Sequence, residues 1–353
     1  MRWTALAAAA IFALQGCAPT PAPMQPLIAA PASDDAPGAA IDKAVQQQVK
    51  SGFSGVVLVG NGSHPILLRG YGMQSGRPVA TNDRFWLASA GKQFVSAAIF
   101  KLAEQGKLDL DDRLSLFFPA VPPDKSDITV RQLLAHTSGY GQSYVSEGHS
   151  DRETAVRLML AEPLKGPPGS QFRYSNSNTQ LAAAVVEVAS GIAYPEFARQ
   201  VLWDQAGLAD TGFAGPEASL TVSPAKDGKL PPRLQRQFWG EQGAFSTADD
   251  LYRWYKILRS GKLLSEQSIE AMFAPAVSIG EGHATLGWFR GATELGTEYL
   301  FVRGNEDFGP NSLLYAYPQR DIVIIVLTHA GNADEDTSWS RRVLKEVERV
   351  LAL

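Results

Sequence analysis

The stretch WLASAGKQFVSAAIFKLAEQG, residues 86–106, contains a change from strand-like to helix-like sequence. From Phe94 to Leu102 the apolar residues recur at helical spacing, and a glycine follows the last turn, where helices commonly end. Ser89 and Lys92 stand at the start of this helix, and residues three apart lie on one helix face. The pair is therefore either a catalytic pair or the polar start of an amphipathic helix.

If the pair is catalytic, Ser89 would be a nucleophile and Lys92 its base. A serine hydroxyl is a weak nucleophile and needs an adjacent base, which a lysine amine can provide in a buried site. The spacing alone is weak evidence, because Ser223 and Lys226 repeat it in the loop-forming stretch SPAKDGKLPPR. No helical face unites that second pair, whereas Ser89 lies where a strand-rich segment meets a predicted buried helix.

The segments on either side of this helix predict an α+β fold. A hairpin is predicted within residues 53–72, around the turn sequence Gly60-Asn61-Gly62. Helices are predicted at 40–50, 129–139, 154–162, 179–190, 195–206, 246–264 and 337–353, and further strands at 285–291, 298–304, 312–318 and 321–329. We expect one antiparallel sheet, built from both chain ends and flanked by helices, with an inserted, mostly helical subdomain at about residues 89–245 and a cleft where the two meet.

The first 40 residues differ in composition from the rest of the chain. Residues 1–16 have a positive start and a short apolar run, which is typical of a secretory signal peptide. They lead to Cys17, the only cysteine, in the sequence LQGC, which resembles the bacterial lipobox, where the cysteine carries the lipid. Ordinary signal-peptidase cleavage, which would leave Cys17 as a free thiol, is the alternative.

Residues 17–40 are rich in proline and alanine and predict an extended tether. We therefore expect an exported lipoprotein on the periplasmic side of a membrane, anchored to that membrane through its lipid. The folded domain would then cover residues 41–353.

Charge and motif content exclude several classes of function. The net charge is −4, and no run of lysine and arginine is longer than a pair, so no nucleic-acid partner is expected. The five histidines show no metal-ligand spacing and the sequence contains no H-E-x-x-H, so we expect neither a metal nor another cofactor. The sequence also lacks G-x-S-x-G, the nucleophile motif of the α/β-hydrolases.

A second polar motif lies in the stretch FRYSNSN, residues 172–178. Tyr174 and Asn176 form the only Tyr-x-Asn in the chain, and a turn sequence precedes them. On a loop, a phenol and an amide at this spacing can both point into one cleft, where tyrosine can relay a proton and asparagine can orient a lysine or a substrate. The same stretch also suits a turn that caps the next helix.

Together the two motifs resemble those of the serine β-lactamase-related hydrolases, which include class C β-lactamases, D-alanyl-D-alanine carboxypeptidases and allied esterases. SAGK, residues 89–92, is similar to the first motif of that family, and YSN, residues 174–176, is similar to the second. RQLLAHTSG at 131–139 and GAFSTADDLYRWYKIL at 243–258 resemble other stretches typical of the family. The resemblance covers roughly residues 41 to 345.

The resemblance implies a β-lactamase/transpeptidase-like fold and an acyl-enzyme mechanism. Ser89 would attack the carbonyl of a small-molecule or peptide-like substrate (an ester, an amide or a β-lactam), with Lys92 and Tyr174 as acid–base groups. Asn176 would orient the lysine and the substrate. The backbone N–H groups of Ser89 and of Asn305, on an edge strand, would hold the oxyanion.

The third motif departs from the family's pattern of His-x-Gly or Lys-x-Gly on a strand beside the cleft. The corresponding strand reads YLFVRGNEDFGPNS, residues 299–312. Gly304 fits the glycine, but Val302 occupies the basic position, and Arg303 would point to the opposite face unless a bulge shifts the register. Because a cation there would meet a substrate carboxylate, its absence favours neutral esters or amides over β-lactams.

Two alternatives stay open at this point. A binding protein that kept the fold and lost turnover would explain the altered third motif, although both catalytic motifs are intact. A D-alanyl-D-alanine carboxypeptidase-type peptidase would need a cation for its substrate's carboxylate, which Arg303 could supply. His136, in HTSG, is expected to be a structural turn residue and not a base.

Overall fold

The computed structural model describes residues 36–213, 240, 243–306, 309–329, 331 and 338–353. The predicted signal peptide, Cys17 and most of the predicted tether lie outside the described residues. The second S-x-x-K pair, Ser223 and Lys226, lies outside them as well.

The strands of the described chain form one large antiparallel sheet and two small sheets. They are β1 Gly55–Asn61, β2 Pro65–Tyr71, β3 Met73–Gln74, β4 Arg77–Pro78, β5 Phe85–Trp86, β6 Gly212–Phe213, β7 Ala244–Ser246, β8 Val277–Ile279, β9 Gly282–Ala284, β10 Phe289–Ala292, β11 Glu298–Asn305, β12 Asn311–Tyr317 and β13 Ile322–Thr328. The strand order in the large sheet is β2-β1-β13-β12-β11-β10-β9-β8, while β3 pairs with β4, and β7 lies between β5 and β6.

Both ends of the chain build the centre of the large sheet. β1 pairs with β2 through the predicted hairpin, and with β13 in antiparallel register from Gly55↔Thr328 to Asn61↔Ile322. β1 and β13 are buried on both faces, which explains why GVVLVGN and IVIIVLT are nearly continuous apolar runs. The predicted sheet from both chain ends is confirmed.

The helices of the described chain lie before, between and after these strands. They are α1 Ala36–Lys50, α2 Lys92–Glu104, α3 Leu114–Phe117, α4 Val130–Leu134, α5 Arg152–Ala161, α6 Asn176–Ser190, α7 Tyr194–Phe197, α8 Asp204–Ala206, α9 Ala248–Arg259, α10 Glu266–Phe273 and α11 Trp339–Leu351. A π-helical segment, Ala198–Trp203, joins α7 to α8, and single 3₁₀ turns occur at Ala88–Gly91, Pro123–Lys125 and Pro318–Arg320.

The two faces of the large sheet carry separate cores. On one face α1 and α11 pack through apolar residues such as Ile41 and Val343 against Val57 and Tyr315. On the other face lie α2, α9 and the helices of the middle of the chain. α2 is buried on nearly all sides, as its composition KQFVSAAIFKLAE predicts, because a helix that is apolar around most of its circumference must be surrounded by protein.

Three predicted elements have different bounds in the structure. The helix predicted over 129–139 ends early, because His136 has φ 55° and Gly139 has φ 90°, and a right-handed helix contains neither conformation. α6 includes Asn176, which the sequence placed on the preceding loop. α2 begins three residues after Ser89, which therefore lies in a 3₁₀ turn and not in the first turn of the α-helix.

Among the described residues, no single helix is both long and apolar enough to cross a membrane. Within the described part of the chain, α6 and the segment Tyr194–Ala206 meet that test together, as one pair bent by 75°.

Candidate active site

The turn that carries Ser89 is fixed by contacts to two sheets. Leu87, two residues earlier, donates its N–H to the carbonyl of Ala244 in β7 at 2.9 Å, and its own carbonyl accepts from Ser312 Oγ in β12 at 2.5 Å. Ala88 has φ 48°, a left-handed conformation that a non-glycine residue adopts only where its surroundings impose it. These constraints present the Ser89 side chain to a cleft.

The hydroxyl of Ser89 receives two hydrogen bonds. Lys92 Nζ donates to Ser89 Oγ at 2.9 Å, and Tyr174 OH donates to the same oxygen at 2.8 Å. Lys92 is only 7% exposed, and its ammonium lies 5.4 Å from the centroid of the Tyr174 ring. Either group, as a neutral amine or as a phenolate, is close enough to take the serine proton.

His136 holds Tyr174 in place. The two rings stack with their centroids 4.6 Å apart. His136 Nδ1 accepts the N–H of Ser175 at 3.2 Å and its carbonyl accepts the N–H of Arg173 at 2.8 Å, so both neighbours of Tyr174 are bound to one residue. Burial, together with the charge of Lys92, lowers the pKa of His136 to about 3. The imidazole is therefore neutral and, since Nδ1 accepts, carries its proton on Nε2.

Asn176 begins α6 and faces the same cleft. Its N–H donates to Gln142 Oε1 at 3.0 Å, so a side chain from the loop between α4 and α5 bonds one N–H of this helix terminus. Its Oδ1 is buried and has no hydrogen-bond partner among the described residues. Because an unpaired buried amide oxygen is costly, a substrate N–H that bonded to it would remove that cost.

Gly304 brings β11 against the Ser89 turn. A Cβ atom at position 304 would lie 2.3 Å from Leu87 O and 2.7 Å from Ser89 N, so only glycine fits there. Val302 lies on the same face of the strand and is buried like Gly304, whereas Arg303 is half-buried. β11 pairs with β12 without a register shift, so no bulge moves Arg303 into the place of Val302.

The second half of β11, residues 302–305, runs along the cleft with no described strand beside it on that side. β10 pairs with β11 only from Phe289↔Phe301 to Ala292↔Glu298, and no other described strand pairs with β11 on that side. No described strand therefore separates residues 302–305 from the cleft on this side. Because Asn305 belongs to this segment, its N–H is a candidate second donor beside that of Ser89 for a developing oxyanion.

The structure brings the predicted site residues of the folded domain into one cleft. Its volume is about 460 Å³, within the range of small-molecule sites. The predicted residues that line it are Ser89, Lys92, Tyr174, Asn176, Val302, Arg303, Gly304 and Asn305. Cys17 lies outside the described residues.

Sequence reasoning missed other residues of the cleft. Phe172, Phe289 and Phe301 line it, and Glu306, also in its lining, accepts a hydrogen bond from Trp86 Nε1 at 3.0 Å. Phe172 lay within the second motif but drew no prediction. Phe289 had no signal, because it is separated from the motifs in sequence and reaches them only through strand pairing.

The chemistry available in this cleft comes from the hydroxyl, amine and phenol groups around Ser89. Within the described part of the chain, no group of three or more His, Cys, Asp or Glu residues could hold a metal ion. The arrangement provides a nucleophile, two adjacent proton carriers and backbone N–H groups beside them, which together suit acyl transfer.

Comparison with known proteins gives both a family and a fold. A family profile described as Beta-lactamase matches residues 41–348. The chain is 28% identical over 243 residues to the putative penicillin-binding protein PbpX of Bacillus subtilis, covering 64% of this chain and 60% of that relative. It is 25% identical over 337 residues to penicillin-binding protein 4* of the same organism, covering 86% of this chain and 73% of that relative.

A solved structure of D-amino acid amidase from Ochrobactrum anthropi SV3, complexed with D-phenylalanine, superposes with a TM-score of 0.74 at 21% identity. That superposition covers 90% of this chain and 98% of the amidase chain. The predicted α+β fold of the β-lactamase/transpeptidase type is confirmed. The match to PbpX spans less than two thirds of that relative's length.

Proposed function

From the premise that this chain belongs to the Beta-lactamase family, as the match over residues 41–348 shows, we propose that it is a serine hydrolase that forms an acyl-enzyme at Ser89. The observation that carries the proposal is the pair of hydrogen bonds to Ser89 Oγ, from Lys92 Nζ at 2.9 Å and from Tyr174 OH at 2.8 Å. A serine that only capped a helix would not need two proton carriers on its hydroxyl.

The proposed reaction has two steps. In acylation, Ser89 Oγ attacks the substrate carbonyl, its proton passes to Lys92 or Tyr174, and the leaving alcohol or amine departs with a proton from the same pair. In deacylation, water gives a proton to Lys92 or Tyr174 and attacks the ester carbonyl; the bond between the acyl group and Ser89 Oγ breaks, the carboxylic acid leaves, and Oγ takes up the proton. The N–H groups of Ser89 and Asn305 would stabilise the oxyanion in both steps.

We propose a neutral ester or amide as the substrate class. Val302 gives the cleft an apolar side chain where a carboxylate-binding cation would otherwise stand, while the unpaired Oδ1 of Asn176 suits an amide N–H. The structural likeness to an amidase is compatible with this class. A β-lactam, which carries a carboxylate, would lack its usual counter-charge at position 302.

A carboxypeptidase-type peptidase is the second candidate, because Arg303 also lines the cleft. Replacing Val302 by lysine separates the two. If neutral substrates are native, Val302→Lys should raise kcat/KM for a carboxylate-bearing β-lactam relative to a neutral ester by about 10-fold, through one charge-assisted hydrogen bond. If Arg303 already binds carboxylates, wild type should prefer the carboxylate substrate, and Arg303→Gln should abolish that preference.

The direct test of the function is ester hydrolysis by the purified protein. With p-nitrophenyl acetate, Ser89→Ala should lower kcat at least about 1,000-fold, since removing an activated nucleophile leaves only residual catalysis. Ser223→Ala, in the second S-x-x-K, is the matched control and should retain wild-type activity. Equal rates for Ser89→Ala and wild type would favour the alternative of a binding protein without turnover.

We further propose export and lipid anchoring through Cys17, with the folded domain on the periplasmic side of a membrane. The support is the signal-like sequence of residues 1–16 and the lipobox-like LQGC. Metabolic labelling with an alkyne fatty acid in a bacterial host should label wild type and not Cys17→Ser. Labelling that survives Cys17→Ser would contradict the anchor.

A further inference from the structure

We propose that Phe172, Phe289 and Phe301, here called the aromatic wall, form a subsite for an aromatic or extended apolar group of the substrate. The inference rests on the proposed function and names the part of the substrate that the nucleophile does not touch. It assigns to the cleft a preference for substrates with an apolar group, which Ser89, Lys92, Tyr174 and Asn176 do not provide.

The aromatic wall is continuous with the catalytic residues. Phe172 contacts the His136 ring edge-on at 5.9 Å, and His136 stacks on Tyr174, whose hydroxyl bonds to Ser89. Phe172 meets Phe289 edge-on with centroids 6.2 Å apart. Phe289 stacks on Phe301 at 5.3 Å. One line of rings therefore runs from the nucleophile along the cleft.

The three phenylalanines are neither fully buried nor scattered on the surface. All three line the cleft and are only partly buried, although their neighbours Trp288 and Leu300 are buried. Exposed aromatic surface gathered inside a concave cleft is costly in water and marks a ligand site more often than a packing defect. An apolar group of the substrate would cover this surface.

The position of the aromatic wall along β11 sets which part of the substrate it can reach. Gly304 lies against Ser89, and Phe301 is three residues earlier, so the wall extends to about 10 Å from the nucleophile at about 3.3 Å per strand residue. The group it holds must therefore be separated from the reacting carbonyl by several bonds.

The charges near the aromatic wall suit a neutral group. Val302, which also lines the cleft, adds an uncharged aliphatic side chain to it. The guanidinium of Arg303 lies 5.7 Å from the Phe301 ring centroid, where it borders the ring as a cation–π contact. A phenyl group fits this surrounding, because it can stack on the rings and present its own negative face to the same cation.

The test compares short and long substrates in two series. In the acyl series, p-nitrophenyl 4-phenylbutyrate is compared with p-nitrophenyl acetate. In the alcohol series, 3-phenylpropyl acetate is compared with methyl acetate. In wild type, at least one series should show kcat/KM about 10-fold or more higher for the phenyl-bearing ester, since a buried apolar group contributes about that factor.

Substitutions in the aromatic wall should remove this selectivity. In Phe172→Ala and in Phe289→Ala, the ratio of kcat/KM between long and short esters should fall about 5- to 10-fold. Leu295→Ala is the matched control, because Leu295 is 71% exposed in the turn between β10 and β11 and lies outside the cleft. Its ratio should equal that of wild type.

A binding measurement separates failure of this inference from failure of the proposed function. Titration of 4-phenylbutyramide and of acetamide into the Ser89→Ala protein needs no turnover. Tighter binding of the phenyl amide, weakened in a Ser89→Ala, Phe289→Ala double variant, would support the subsite even if no ester were hydrolysed. The inference would be overturned if the kcat/KM ratio of long to short esters were equal in wild type and in the wall variants, and if 4-phenylbutyramide bound no more tightly than acetamide.

Discussion

Gly304 lies so close to Ser89 and the residues before it that no side chain fits between the two segments. A Cβ atom would lie 2.3 Å from Leu87 O and 2.7 Å from Ser89 N, and neither can move without moving the nucleophile. Gly304, which matched the glycine of the third motif, is thus required because β11 contacts the turn that carries Ser89 at this position.

Gly304→Ala should therefore displace the Ser89 turn or β11. We expect kcat/KM for a neutral ester to fall about 100-fold, because misplacement of a nucleophile by about 1 Å costs that much. Gly166→Ala is a suitable control, since the nearest atom to a Cβ at that position is 3.5 Å away. A folded Gly304→Ala protein, checked by circular dichroism, with wild-type activity would contradict this account of the contact.

His136 stacks on Tyr174 and accepts the N–H groups of both neighbouring residues, so we assign it a positioning role. His136→Ala removes both the stacked ring and the acceptor for the Ser175 N–H, and should lower kcat about 10- to 100-fold with little change in KM. His136→Asn keeps an acceptor and tolerates φ 55°, so it should recover part of the loss. Steady-state kinetics of both variants measures this difference.

The pH dependence of the wild type provides a second check on His136. Because its pKa is lowered to about 3, it stays neutral through the neutral range, and the pH–rate profile should show no limb from its titration between pH 5 and 8. A limb in that range that disappears in His136→Asn would show that the imidazole titrates during turnover.

At the level of elements, the start of α9 carries a buried carboxylate. Asp250 accepts the N–H of Asp210 and the hydroxyl of Thr211, both at 2.8 Å. Burial nonetheless dominates and raises the pKa of Asp250 to about 6. The carboxylate is therefore held in a place that favours its neutral form, although its hydrogen bonds work in the opposite direction.

Because the pKa of Asp250 is raised in the folded protein, its contribution to the free energy of unfolding decreases as pH rises. The folded protein binds more protons than the unfolded chain between about pH 4 and 6, so this contribution is complete below pH 4 and is lost as pH rises through about 6. Asp250→Asn should lose less stability over that range, by at most about 3 kcal/mol. Urea unfolding at pH 4, 5, 6 and 7 measures the difference.

Asp111 is the matched control for that series. The hydrogen bond and charge of Arg131 lower the pKa of Asp111, so its contribution is present at neutral pH and is lost as pH falls. Asp111→Asn should therefore lose less stability than wild type as pH falls below about 4, and urea unfolding extended to pH 3 measures this opposite trend. If the free energy of unfolding, relative to wild type, changed with pH in the same way in both variants, the titration of Asp250 and Asp111 would not be its cause.

At the scale of the whole molecule, the sequence predicted the strands near both chain ends well. The hairpin at Gly60-Asn61-Gly62 and the apolar runs of β1 and β13 have strong local signals, and their pairing confirms the expected sheet. The helix predicted over 129–139 was too long, because the left-handed backbone at His136 is imposed by tertiary contacts that a single sequence does not display.

The residues of the candidate site also differ in whether the sequence could predict them. Ser89, Lys92, Tyr174 and Asn176 could be selected because residue type and spacing carry their chemistry. Phe289 could not, because it reaches the cleft through its pairing with Phe301 and its contact with Phe172 across the cleft. Residues that contact a substrate through apolar packing form no short sequence motif, whereas the residues proposed for proton transfer lie within short motifs.

The central claim is that Ser89 is a nucleophile activated by its neighbours, and covalent labelling tests it most directly. The purified protein is treated with a fluorophosphonate, and the adduct is measured by intact mass and mapped by peptide. We predict a single adduct at Ser89, absent in Ser89→Ala and formed at least about 100-fold more slowly in Lys92→Ala, because the hydroxyl then lacks one of its two adjacent proton carriers. No adduct on the folded wild-type protein, or labelling that does not depend on Lys92, would contradict the claim.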